Sequence, residues 1–188
     1  MKKQLKSVAI FLSVLMLVGS LFGCASNTNT AGGGKADKVT VGIIQFTAHV
    51  ALDSAREGFI AALKDNNFVE GQNLEIDFQN AQADQSNLST ISDRFVSNKV
   101  DLVLAIATPA AQAIAGKTKD IPILGTAITD YEGAKLVDSN EKPGGNVTGT
   151  SDMNPIKEQI DLLVKLVPDA KTVGVLYTSN EDNSIIQA

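Results

Sequence analysis

Residues 38–63 read KVTVGIIQFTAHVALDSAREGFIAAL, and the fold follows from how this stretch divides. Val39 to Phe46 is a short apolar run rich in branched side chains, the composition and length of a buried strand. Leu52, Ala55, Phe59, Ala62 and Leu63 then recur at the steps that share one stripe of an α-helix. Between the halves lies a polar loop, Gln45 to Asp53, which holds the only histidine, His49. A buried strand feeding an amphipathic helix through such a loop is the opening unit of a parallel α/β sheet. In open sheets of that kind ligands bind beyond the carboxyl ends of the strands, so the loop is the first place to look for function.

The same alternation runs onward. Leu74 to Phe78 alternates apolar and polar, as a strand with one less buried face does. Asn80 to Asn87 is a polar loop, and Leu88, Ile91, Phe95 and Val96 stripe the next helix. Val100 to Ala107, VDLVLAIA, suits a central strand covered on both faces. Thr108-Pro109 reads as an N-cap with proline at the first helical position, opening a third helix. Ile121 to Gly125 is the next strand, followed by the polar loop TAITDYE, Thr126 to Glu132. After the turn at Lys142 to Gly145, Asn154-Pro155 opens a helix striped by Ile156, Ile160, Leu163 and Val167 and ended by Pro168. Lys171 to Tyr177 is expected to be a new buried strand, followed by the polar residues Thr178 to Asn183.

The ends of the sequence carry other signals. MKKQLK precedes SVAIFLSVLMLVGSLFGC, a basic start and an apolar run ending at small residues, the pattern of a secretory signal peptide. The apolar part is short for a spanning helix, which needs about 20 residues. Leu21-Phe22-Gly23-Cys24 resembles the lipobox of bacterial lipoproteins, whose cysteine is lipidated and becomes the new N-terminus. The plainer reading is an ordinary signal peptide with a chance cysteine. Cys24 is the sole cysteine, so no internal disulfide can form, which leaves lipidation as its most economical use. Residues 24–37, CASNTNTAGGGKAD, read as a flexible tether. Residues 1–23 carry Lys2, Lys3 and Lys6, so the 16 basic residues fall to 13 without them, against 21 acidic, a net charge of −8. That balance argues against nucleic acid, whose binding rests on phosphate neutralisation by Lys and Arg.

Signatures of catalysis are absent. There is no GxGxxG after a strand, no GxxxxGK[ST] and no GxSxG. One histidine and one cysteine give no zinc set and no free Cys–His pair, and no spacing singles out a pair of carboxylates for acid–base work. No catalytic residue, metal or cofactor is therefore expected. His49 reads either as a loop-fixing residue or as a ligand contact.

QFTAHVALDSAREGFIAALKDN, EGQNLEIDFQNAQADQSNLSTI, DLVLAIATPAAQAIA, PILGTAITD, KPGGNVTGTSD and VGVLYTSNEDNS occur in this order and cover the sequence from about Lys38 onward. Together they resemble the ABC-transporter substrate-binding lipoproteins, the family that includes tryptophan- and tyrosine-binding members. The resemblance implies two α/β lobes of the type I periplasmic-binding-protein kind, each with a Rossmann-like parallel sheet, closing about a hinge on a solute. It also implies a permease and an ATPase as partners, an extracytoplasmic place on the cell membrane through the lipid on Cys24, and a monomeric receptor. The expected organisation is a lipoprotein signal peptide over 1–23, the tether over 24–37, a first lobe over 38–149 and the start of a second lobe over 150–188. The sequence ends within the opening of a further helix, so the second lobe is expected to be incomplete.

Candidate cleft residues follow from the strand ends. Thr108 caps a helix at the end of a buried strand, and the N–H groups of Ala110 and Ala111 are expected to be free donors for a carboxylate. Asp130 follows the next strand and offers an anion for an ammonium group; its plainer role is a turn residue. Phe46 and Tyr177 follow strands of opposite lobes and are candidates to sandwich an apolar side chain, the alternative being simple core packing. Ser151, Asn180 and Asn183 are further candidates from the crossover and the second lobe. The sequence reads best as a solute receptor of an importer that takes an amino acid, with an aromatic one favoured by the resemblance. A sensing receptor of the same fold and an α/β enzyme are the competing readings.

Overall fold

The computed structural model describes residues 38–188; the expected signal peptide, Cys24 and the expected tether lie outside the described residues. Strands β1 (Val39–Gln45), β2 (Leu74–Asn80), β3 (Leu102–Ile106), β4 (Ile123–Ile128) and β5 (Val147–Ser151) form one sheet in the order β2-β1-β3-β4-β5. Every pairing is parallel. Helices α1 (Val50–Asp65), α2 (Gln85–Asn98) and α3 (Thr108–Ala115) make the crossovers, and α4 (Ile156–Leu166) and α5 (Asp182–Gln187) follow β5.

The topology explains the two cores. The chain steps from β1 outward to β2, then returns past β1 to β3, β4 and β5. With right-handed crossovers, that reversal puts α1 on one face of the sheet and α2 and α3 on the other. Phe95 of α2 and Ile114 of α3 pack there with Ile44, Val103, Ala105 and Ile128 of the sheet, all buried. Beneath α1 lie Val41, Ile43, Leu104 and Ile106, with Leu52, Phe59, Ile60 and Leu63 half-buried above them. The expected stripe of α1 is thus present, except that Ala62 is exposed and Ile60 packs in its stead.

Gly42 shows how closely the layers approach. A Cβ there would lie 2.7 Å from Cδ2 of Phe95, so the strand reaches the aromatic ring of α2 only because position 42 has no side chain. Filling such a contact costs about 1–3 kcal/mol.

Two expectations about strands are corrected. β4 runs on to Ile128, through residues that read as a polar loop. It does so across a bulge between Gly125 and Ile128, with Ala127 at φ 55°, because β5 pairs beside it and supplies the ladder partners. The segment Lys171 to Tyr177 forms no strand, and Val175 and Leu176 stand exposed, Leu176 entirely. A branched apolar run becomes a strand only when a neighbour satisfies its backbone groups, and no strand flanks it among the described residues. The boundary expected at 149/150 falls inside β5, which carries the chain out of the sheet.

Candidate functional site

The order reversal lies between β1 and β3, and ligands of open α/β sheets bind at the carboxyl ends beside such a switch point. In this chain that edge is assembled from the loops after β1, β3 and β4. Parallel register brings them level: Gln45 pairs with Ile106, and Ile106 with Thr126.

Backbone strain gathers along this edge. Gln82 and Ala83 after β2, Ala107 after β3 and Ala127 within β4 all have positive φ without being glycine. Ala107 is the extreme case, at φ 83° and ψ 152°, a region used almost only by glycine and costing about 1–3 kcal/mol. Its N–H donates to the Thr126 carbonyl at 3.0 Å, which holds β3 to β4 through the bend. Such strain persists where the surroundings over-determine it, and it concentrates at ligand clamps.

Ala107 also moves the helix start by one residue. It is the N-cap of α3, so Thr108 is the first helical residue and makes no capping bond. The reading of Thr108 as a side-chain cap is therefore corrected. Its Oγ1 is buried and finds no hydrogen-bond partner. The N–H groups of Ala110 and Ala111 are not free either: both donate to the Ala107 carbonyl, each at 3.1 Å. The strained turn aims that carbonyl at them, so the polar handle left at this helix start is the threonine hydroxyl rather than the amides.

Asp130 behaves first as a turn residue. Its Oδ1 accepts from the N–H of Glu132 at 3.0 Å and of Gly133 at 3.1 Å. The other oxygen, Oδ2, lies where a Cβ on Gly133 would approach to 2.9 Å. The turn thus fixes the carboxylate through one oxygen and leaves its second out of that pattern.

α5 packs over this edge. Gln112 Nε2 donates to Asp182 Oδ2 at 2.7 Å, and Gln187 Nε2 to Thr129 Oγ1 at 3.3 Å. Asp182, Asn183, Ile186 and Gln187 share one helix face. On that face Asn183 Oδ1 is buried and has no partner. Thr108 Oγ1 and Asn183 Oδ1 are the two such orphaned side-chain atoms among the described residues. One belongs to α3 and the other to the helix packed against it.

The remaining candidates fall elsewhere. His49 caps α1, its Nδ1 accepting from the Ala51 N–H at 3.2 Å, which is the loop-fixing alternative. Phe46 is half-buried and packs on the core beneath α2 and α3. Tyr177 is about half exposed on the unpaired segment. Ser151 is committed to structure: Oγ donates to the Thr129 carbonyl at 2.7 Å and accepts from the Met153 N–H at 3.1 Å. Asn180 is exposed.

Two residues escaped the sequence reading. Gln112 sits in an alanine-rich helix and gave no signal. Gln45 closes β1 fully buried, with Nε2 donating to the Thr47 carbonyl at 2.8 Å and Asp53 Oδ1 at 2.9 Å. Arg56, lying 4.3 Å over the ring of Phe78, donates to Gln45 Oε1 at 3.4 Å. A polar residue ending an otherwise apolar strand was the available clue.

A parallel sheet of this order, with backbone strain along its carboxyl edge, is that of an α/β lobe of the type I periplasmic-binding class. Residues 40–188 match the family model described as ABC transporter substrate binding protein, and the chain belongs to that family. It is 46% identical over 194 residues to the tyrosine-binding protein of Clostridioides difficile strain R20291, covering 100% of this chain and 56% of that one. Among solved structures it resembles the ABC domain in complex with L-Trp from Streptococcus pneumonia, with 46% identity and a TM-score of 0.76, over 80% of this chain and 51% of that one. It also resembles the ligand-free, open form of a Clostridium difficile substrate binding protein with adhesive properties, with 49% identity and a TM-score of 0.65, over 79% and 50%. The chain thus spans about half the length of these relatives.

Proposed function

We propose that this chain is the solute receptor of an ABC importer, and that its solute is an L-amino acid, most readily an aromatic one. The observation that carries the reading is the pair of buried, unpartnered atoms Thr108 Oγ1 and Asn183 Oδ1. An unsatisfied buried polar group costs about 1–3 kcal/mol, and the two differ in kind. A hydroxyl donates to a carboxylate, whereas an amide oxygen accepts from an ammonium group. Asp130 Oδ2 adds a charge of the sign an ammonium needs. An α-amino acid presents both groups on one carbon. The relatives that bind tyrosine and L-Trp favour an aromatic side chain, with Phe46 as its contact from this lobe.

In this reading residues 38–149 are the first lobe and the second begins near Thr150. The lobes close on the solute about a hinge, and the loaded receptor, a monomer, docks on a permease driven by an ATPase. The signal peptide over 1–23 directs export, Cys24 carries a lipid that holds the protein on the outer face of the membrane, and residues 24–37 are the leash. The protein binds and releases its solute unchanged, without catalysis.

A thermal-shift screen of the full-length protein against the standard amino acids tests the proposal. A ligand at ~100 Kd stabilises the native state by about 2.7 kcal/mol, so an aromatic amino acid should raise the melting temperature and be recovered intact. Indifference to every amino acid, with stabilisation by a sugar or a metal chelate, would overturn it.

A further inference from the structure

Val41 and Ile43 of β1 lie in the core beneath α1, and Gln45 is the next residue of that row. It is as fully buried as Ile43. An apolar side chain would meet the need for burial there, whereas a buried amide must find partners for both its ends. Gln45 finds them. Nε2 donates to the Thr47 carbonyl at 2.8 Å and to Asp53 Oδ1 at 2.9 Å, and Oε1 accepts from Arg56 at 3.4 Å. Arg56 also donates to Asp53 Oδ1 at 3.3 Å, pairs with Glu57 at 3.7 Å and lies 4.3 Å over the ring of Phe78 on β2. The two acceptors of Nε2 bracket the loop that joins β1 to α1: Thr47 is in the loop, and Asp53 is in the first turn of the helix. Phe46 lies between Gln45 and Thr47. Its N–H donates to the Ile106 carbonyl at 3.2 Å, and its carbonyl accepts from the Ala83 N–H at 2.8 Å. The main chain at Phe46 is thus tied to β3 and to the loop after β2. Gln45 adds the tie at the next residue, where the chain turns from sheet to helix.

We infer that Gln45 is a positioning residue for the proposed site: its buried amide sets the course of the loop after β1, and through it the presentation of Phe46 to the solute. The inference rests on the amino-acid-receptor reading for what Phe46 meets. Gln45 is itself buried with its donors engaged, so it acts through the loop and not on the solute. Glutamine suits the task because one planar group carries two donors and an acceptor, and a buried network with every member satisfied holds a single arrangement. A loop held in one arrangement leaves less ordering for the solute to supply, so affinity rises without a new contact.

The test uses the full-length protein and two readouts. Gln45→Met keeps the side chain's length and removes every donor. Asp53→Ala removes one of the two acceptors and carries the test by itself if Gln45→Met does not fold. In hydrogen exchange without solute, peptides covering Thr47 to Asp53 should exchange about tenfold faster in Gln45→Met and less so in Asp53→Ala, while peptides of β3 and β4 exchange as in wild type. The second readout is a double-mutant cycle with Phe46→Leu, followed by calorimetric titration with L-tryptophan and L-tyrosine. Phe46→Leu should weaken binding about tenfold in the wild-type background and about threefold or less in either variant background, because a misplaced Phe46 has less to lose. A residue that merely stabilises the fold would leave the cost of Phe46→Leu the same in every background, and that result would overturn the inference. So would wild-type exchange of the loop in both variants. A wild-type protein that binds neither amino acid would refute the solute reading, and the exchange series would still decide whether Gln45 holds the loop.

Discussion

The hydroxyl of Tyr131 occupies the space that Gly125 leaves open at the β4–β5 seam: a Cβ at position 125 would lie 2.6 Å from it. From there it donates to the Gly125 carbonyl at 2.9 Å and contacts the Thr150 carbonyl at 3.2 Å. A Cβ on Gly149, at φ +154° in β5, would crowd the same oxygen. One phenol thus joins the last strand of the lobe to the strand that leads out of it.

Tyr131→Phe should therefore destabilise the protein by about 1–2 kcal/mol, the value of a buried hydrogen bond with its acceptors left wanting. Urea unfolding measures it. Burial, followed by the charge of Asp152, pushes the phenol up from 10.0 to about 12, with the Thr150 backbone contact opposing. A folded-state value above the unfolded one means the stabilisation is whole below pH 10 and lost as pH rises through 12. On the order of 2 kcal/mol should disappear across that window, and Tyr131→Phe should flatten the loss.

Ala107→Gly should stabilise the protein by about 1 kcal/mol, since glycine adopts φ 83°, ψ 152° without strain. The gain is smaller than the strain itself, because glycine loses more freedom on folding. A melting temperature below wild type would show that the strain at Ala107 has been misjudged.

Thr108→Val removes a buried hydroxyl that has no partner while keeping the shape. The ligand-free protein should gain about 1 kcal/mol, and affinity for its amino acid should fall about three- to tenfold. Opposite signs for stability and binding mark a group kept for its ligand. Loss of both would mean the hydroxyl is structural.

Cys24→Ser should release the protein from the membrane into the medium or periplasm, read by fractionation and immunoblot. A cleaved variant that stays on the membrane would contradict lipid anchoring.

Much of this was legible in the sequence because burial writes itself into composition. Val39 to Gln45 and Leu102 to Ile106 are flanked by strands on both sides, and their largely apolar, branched composition announced it. The candidate site was read from the strand ends, and the structure changes the roles of several of its groups. Thr108 was singled out as a cap, since nothing in ATPAA reveals that Ala107 takes a glycine-like conformation and starts the helix itself. Ala110 and Ala111 followed the same error. Lys171 to Tyr177 carries the pattern of a buried strand and stands exposed, because a pattern records the need for a neighbour and not its presence. Gln112 is hydrogen-bonded to partners 22 and 70 residues away, a relation no local reading contains.

The central claim is that an ammonium group of the solute meets Asp130. Asp130→Asn keeps an oxygen to accept from Glu132 and Gly133, so the turn should survive while the charge goes. The direct measurement is calorimetric titration of wild type and Asp130→Asn, each with L-tryptophan and with 3-indolepropionic acid, which lacks the amino group. Wild type should prefer L-tryptophan strongly, and Asp130→Asn should bind it at least tenfold more weakly, as loss of a buried charge partner worth about 2–5 kcal/mol requires. Binding of 3-indolepropionic acid should change little. Equal affinity of wild type and Asp130→Asn for L-tryptophan would contradict the account.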